Sequence, residues 1–190
     1  MDIDNLYKNQ DVLRFKEIFA LEKIHGTSAH IAFKDGALHF FAGGSSHEHF
    51  VALFDQPDLL VKFAAIGQPK VVIFGEAYGG KLQGMKHVYG PTLRFVAFEV
   101  QIGDSWLAVP QAAEIVARLG LEFVAYDLIP GTIEAVDAHR ALPSVQAIRN
   151  GMGDGHTREG DVLRSPIEVR TNRGERIVAK HKNMAFSETK

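Results

Sequence analysis

The chain has 190 residues, of which 46% are hydrophobic and 23% charged, with a formal net charge of −2 and no cysteine. This composition suits one folded domain with a sizeable core, and it excludes a disordered chain, a disulfide scaffold and a zinc–thiolate site. The slight negative charge also excludes a protein that coats nucleic acid by bulk electrostatics, so any contact of that kind must be local.

The first ten residues are polar and charged rather than a basic stretch leading into an apolar run, and no window approaches the length of a membrane span. A cytoplasmic protein with no membrane contact is expected. In chain order, strands are predicted at 19–23, 28–33 and 37–42, with Asp35-Gly36 turning the last two into a hairpin. Leu59, Leu60, Phe63 and Ile66 share a helical face over 57–66, with Pro57 near the start. Buried strands follow at 71–74 and 93–101, separated by the glycine-rich loop 79–84. An amphipathic helix over 110–119 closes at Gly120, and a β-like run covers 121–126. Helical signals recur over 133–150, broken by Pro143. After a loop at 151–155 the chain returns to strands at 161–164, 167–171 and 176–182, the last two paired about Asn172-Arg173-Gly174. The fold class is α+β, with antiparallel sheets flanked by a few helices.

Lys23-Ile24-His25-Gly26-Thr27 places a lysine at the end of an apolar strand, where its amine can project into a cleft. An amine must be neutral to attack phosphorus, and desolvation and neighbouring cations favour that form. Lys180 and Lys182, two apart on a strand, point to one face and can reach one anion. Glu159 and Glu76 are candidate carboxylates, and Phe98, with Phe95 as the alternative, offers a flat apolar face to a base. Each feature alone is commonplace on an ordinary surface, turn or core.

Together, in this order and at these intervals, they resemble the covalent nucleotidyltransferase superfamily of ligases and capping enzymes, in particular the nick-sealing subgroup of ATP-dependent RNA ligases. Lys23-Ile24-His25-Gly26-Thr27 resembles the first motif, Phe74-Gly75-Glu76 the third, and Phe95-Val96-Ala97-Phe98-Glu99 the aromatic motif that follows. Glu159-Gly160-Asp161-Val162-Leu163-Arg164 resembles the fourth motif and Ala179-Lys180-His181-Lys182-Asn183 the fifth, so the match runs over 19–188. The resemblance implies a nucleotidyltransferase domain of two antiparallel sheets enclosing an ATP cleft. It implies that Lys23 takes AMP from ATP, that Lys180 and Lys182 assist at the phosphates, and that Glu22, His25, Gly26, Glu76, Phe98 and Glu159 bind the nucleotide. Glu159, with Glu76, would hold magnesium or manganese. The implied substrates are RNA or nicked-duplex ends bearing a 5′-phosphate and a 3′-hydroxyl.

Two departures bear on the ends. Ser28 stands where the family usually has asparagine, and Phe41-Ala42-Gly43-Gly44-Ser45-Ser46 lacks the arginine that usually follows the second hairpin strand. Poor end recognition is therefore expected, with a protein partner able to supply end-binding. A single nucleotidyltransferase domain over 1–190, with no C-terminal accessory domain, is the expected organisation. A capping-type guanylyltransferase and a non-catalytic nucleotide- or nucleic-acid-binding module of the same fold are the alternatives. Gly79-Gly80-Lys81-Leu82 lacks the spacing of a phosphate-binding P-loop, and His47-Glu48-His49 reads as a solvated loop rather than a metal pair.

Overall fold

The structure is a computed structural model that describes residues 3–186; positions 1–2 of the polar N-terminal stretch and 187–188 of the motif span lie outside them. The chain divides into two compact units, one formed by Met1–Ile24 with Val124–Lys190 and the other by His25–Phe123.

The first unit contains a four-stranded antiparallel sheet. Its strands are β1 (Glu17–Lys23), β7 (Tyr126–Pro130), β8 (Gly160–Arg164) and β9 (Val178–Lys182), ordered β7-β1-β8-β9. One face buries Ile18, Ala20, Leu163 and Ala179 against Leu6, Val12 and Val136, the last on α5 (Ile133–Arg140). Thr132 caps α5 by accepting from the Ala135 N–H at 3.2 Å, and Ser144 caps α6 (Val145–Arg149) by accepting from the Ala147 N–H at 3.0 Å. Pro143, with no N–H to give, stands between the two helices as expected.

The second unit contains a five-stranded antiparallel sheet. It comprises β2 (Thr27–Lys34), β3 (Ala37–Ala42), β4 (Lys70–Gly79), β5 (Leu93–Ile102) and β6 (Ser105–Trp106), ordered β3-β2-β4-β5-β6. Asp35 and Gly36, at φ 51° and 77°, make the tight turn that the Asp-Gly pair predicts. The core face carries Ala29 and Ala77 beneath Phe50, with Phe40, Phe54 and Phe95 packed around it. Phe50 comes from α1 (His47–Val51), and α2 (Gln56–Ala65) stacks its Phe63 on Phe33 at 5.8 Å. Asp55 caps α2, and α4 (Val109–Arg118) reaches its end at Gly120, φ 72°.

The structure departs from the sequence expectations in four places. His47, Glu48 and His49 are exposed as expected, but they open a short helix, because fully burying Phe50 contributes about 1.5–3 kcal/mol that an open loop would forgo. The run 121–126 is not a strand. Leu121 donates back to the Val116 carbonyl at 3.1 Å, Phe123 makes one bridge to Ala97, and pairing with β1 begins only at Tyr126. Residues 167–171 form no strand either. Pro166 supplies no donor, the hairpin closes through the Arg170–Arg176 bridge, and β9 takes β8 as its neighbour. The glycine-rich loop 79–84 leads into α3 (Lys86–Tyr89), which the sequence did not reveal.

Candidate functional site

In the first unit, Lys23 and Lys182 lie opposite Gly160 from its two sides, on β1 and β9. Two strand spacings separate their backbones by roughly 10 Å, which two lysine side chains can span only if nothing stands between them. Gly160 leaves that space open. A Cβ there would lie 2.2 Å from the His181 carbonyl oxygen, and its φ of 152° suits glycine alone. Glu159, just before it, is 1% exposed and receives both ammonium groups, Lys23 Nζ at 3.0 Å from Oε2 and Lys182 Nζ at 3.2 Å from Oε1. Lys180, two residues before Lys182, is half-buried in the row that alternation places on the same face. Two ammonium groups therefore share one carboxylate with a third lysine in the same row, an arrangement with a positive excess that a phosphate can neutralise.

Asn183 ties these parts together. Its side-chain amide donates to the Arg140 and Arg158 carbonyls at 2.8 and 2.9 Å, and its backbone N–H donates to the Glu159 carbonyl at 2.8 Å. Arg140 in turn donates to the Lys182 carbonyl at 2.9 Å. The sequence put Asn183 inside the fifth motif without giving it work; nothing in its spacing with Arg140 could have revealed the clamp.

Glu22 is not brought to this cluster. It points to the other face of β1, where Ser144 Oγ donates to it at 2.6 Å and the Gln146 N–H at 3.1 Å. Burial pushes its carboxyl above the ordinary value, outweighing the Ser144 hydrogen bond, the Arg158 charge and the Gln146 N–H. Behind the sheet Asp161, fully buried, accepts from Arg158 at 3.1 Å and meets His139 Nδ1 at 2.8 Å, while His139 Nε2 lies 3.1 Å from Asp127.

The second unit holds the other sequence-derived residues. Glu76 Oε1 accepts the Gly26 N–H at 3.2 Å, and a Cβ on Gly26 would come within 2.3 Å of the Ala77 carbonyl oxygen, so glycine is what lets the backbone approach β4. The His25 N–H donates to the Tyr89 hydroxyl at 3.3 Å, a contact supplied by the unexpected α3, and Tyr89 meets Tyr78 edge-to-face at 5.3 Å. The two candidate aromatics separate cleanly. Both are half-buried, but Phe95 packs with Phe50 and Phe54 against the core, whereas Phe98 is the extra residue of the bulge opposite Phe74 and Gly75. Where an arginine was missing, Gly43 and Gly44 bind back to the first motif, through the Ser28 carbonyl at 3.0 Å and Thr27 Oγ1 at 2.8 Å.

Among the described residues no helix is long and apolar enough to cross a membrane, and no group of three or more His, Cys, Asp or Glu could hold a metal by itself. Magnesium commonly binds through one or two carboxylates together with substrate phosphates and water, and a single buried Glu159 beside lysines fits that mode rather than a protein-built cage.

The fold is that of solved RNA ligase structures from Naegleria gruberi. One, a variant with AMP and Mn, matches at a TM-score of 0.75 and 14% identity, covering 98% of this chain and 56% of that one. Another, a variant with ATP and Mn, matches at 0.75 and 15%, and one with PPi at 0.74 and 15%, with the same coverage. This chain thus spans a little over half the length of those proteins. No curated protein matches it by sequence. The family model described as RNA ligase matches residues 16–182, from just before β1 to the last residue of β9 and through the motifs quoted above as far as Lys182 of the fifth, and the chain belongs to the RNA ligase family.

Proposed function

We propose that the protein is an ATP-dependent RNA ligase, or RNA/DNA ligase, that works through a lysine–AMP intermediate on Lys23. The observation that carries this reading is the Lys23–Glu159–Lys182 cluster, a lysine at the nucleophile position of the first motif held beside a second cation by one buried carboxylate. In the first step Lys23 Nζ, having lost a proton, bonds to the α-phosphorus of ATP, the α–β anhydride bond breaks, and pyrophosphate leaves with the electron pair. In the second a 5′-phosphate oxygen attacks the same phosphorus and the N–P bond breaks, returning the amine. In the third a 3′-hydroxyl attacks the activated 5′-phosphate and AMP leaves.

Phosphoryl transfer depends mainly on position and charge. Lys180 and Lys182 lower the cost of charge gathering on the leaving and non-bridging oxygens, and Glu159 holds the Lys23 amine against β9 until the nucleotide arrives. Glu159 is the residue that would hold magnesium, which supplies neutralisation of phosphate charge when bound. Phe98 would offer its face to adenine and Glu76 its carboxylate to the sugar, with Gly26 and His25 giving backbone and ring contacts. Glu22 would act indirectly, by fixing β1 next to Lys23. The Naegleria structures with ATP, AMP and Mn support the nucleotide and metal classes.

The test is a chase. Protein incubated with labelled ATP and magnesium should retain label after denaturation, and should pass it to a nicked duplex bearing a 5′-phosphate. Label that stays on the chain and never reaches nucleic acid would refute the ligase reading while leaving adenylylation standing.

A further inference from the structure

We propose that the lysines of β9 and the exposed arginines of the hairpin that joins β8 to it form a track for the phosphate backbone of the strand being joined, ending at Arg170 and Arg173. This rests on the ligase reading and names where that substrate lies. Between Glu159 and Lys182 there are six lysines and arginines against four carboxylates, in a chain whose net charge is −2. One of those carboxylates, Asp161, is turned to the other face and bound by Arg158 and His139, so the imbalance on the Lys23 face is larger still.

Register gives the cations their order. Gly160, Val162 and Arg164 lie opposite Lys182, Lys180 and Val178, and alternation puts all of them on the face that carries Lys23. Beyond Val178 the row continues to Arg176, which meets Arg164 on the shared Glu168 carboxylate, with Arg176 Nη2 at 2.6 Å and Nε at 3.1 Å. Arg170 is then bridged directly to Arg176, and the turn, set by Gly174 at φ 82°, presents Arg173 at its tip. Both Arg170 and Arg173 are exposed.

Glu168 already neutralises Arg176, so the exposed Arg170 across the bridge, whose Nη1 donates to the Gly174 carbonyl at 2.8 Å, is the cation of the pair that a polyanion can meet. From Lys182 to Arg176 an extended strand covers roughly 20 Å, the axial length of about six stacked nucleotides. Arginine is also the side chain whose planar fork suits phosphate best.

The experiment uses the full chain and a fluorescently labelled RNA strand with a 5′-phosphate, with binding measured by anisotropy over a salt series and self-adenylylation measured separately. The double variant Arg170→Ala/Arg173→Ala, at exposed positions outside the nucleotide cluster, should keep the wild-type rate of adduct formation. It should bind the strand about tenfold more weakly at low salt, and lose about 1.4 from the slope of log affinity against log salt, two phosphate contacts' worth for a single strand. Arg170→Lys/Arg173→Lys should recover most of the slope. The pair Lys81→Ala/Arg118→Ala, equally exposed cations in the other unit, should change little. Unchanged affinity and slope in the arginine variant, or an equal loss in the control pair, would overturn the proposal. A wild-type protein that forms no adduct would count against the ligase reading, and the binding arm, which needs no chemistry, would still decide the track.

Discussion

Glu22 and Lys23 are neighbours on β1, yet Glu22 is 2% exposed and enclosed by Ser144 and Gln146, whereas the Lys23 side chain keeps 24% of its surface open beside a carboxylate it shares with Lys182. The same contrast holds across the sheet. The buried face sets the Asp161 carboxylate in close contact with the Arg158 guanidinium and the His139 ring. The other face carries lysines in excess of carboxylate. A buried set that is already satisfied holds the structure together, because opening it would leave a charge without a partner in low dielectric. A set with surplus charge that water can reach is suited to a ligand instead.

Removing Arg158 should separate the two most sharply. Arg158→Ala leaves fully buried Asp161 without its guanidinium and should cost about 3–5 kcal/mol of stability in urea unfolding, while the molecules that remain folded still form the adduct. A stable variant unable to form the adduct would reverse the assignment. Next in size, Lys182→Ala should slow adduct formation at least tenfold, about 1.4 kcal/mol of transition-state stabilisation, with little change in melting temperature because Glu159 keeps Lys23. Glu159→Gln, which keeps the shape and removes the charge, should be nearly as damaging as Glu159→Ala; a full rate in it would exclude a charge role.

The pH dependence comes from the buried face. Burial opposes charging His139, but the hydrogen bond and charge of Asp161 and the hydrogen bond to Asp127 outweigh it, and the opposing charge of Arg158 as well, so the ring titrates above its ordinary value of 6.5. A value raised on folding means stability that is fully present below 6.5 and is lost as pH rises through the folded value. The melting temperature should therefore fall as pH rises above 6.5, and fall less in His139→Gln; parallel curves would remove His139 as the cause. The smallest effect belongs to Glu22→Gln. The amide keeps an acceptor for only one of the two donors, Ser144 Oγ and the Gln146 N–H, but burial already disfavours the carboxylate it replaces, so a loss of about 1 kcal/mol is expected, checked by the same unfolding curves.

Much of this was legible in the sequence where chemistry and local geometry coincide. The Asp35-Gly36 turn, the helix that starts near Pro57, the helix that ends at Gly120 and the Lys-x-Lys of β9 follow from residue types at fixed short spacings, and each lies where expected. The first motif and Glu159, commonplace alone, were singled out by the resemblance of five motifs in order, and the structure brings Lys23, Glu159 and Lys182 within ion-pair distance. What was missed depends on partners distant in the chain. Glu22 looked like a ligand of the nucleotide because its 122-residue separation from Ser144 hides the hydrogen bond that occupies it. Tyr89 lay in a helix too short to show a period, and the Asn183 clamp joins three carbonyls that no motif connects. Phe95 and Phe98 differ only through a bulge in β5, invisible to an alternation rule that assumes a regular strand.

The most direct test locates the AMP. Wild-type protein incubated with ATP and magnesium, digested and mapped by mass spectrometry, should carry one AMP per chain, on the peptide containing Lys23, and Lys23→Ala should carry none. An adduct on Lys180 or Lys182, or one that survives in Lys23→Ala, would contradict the account at its centre.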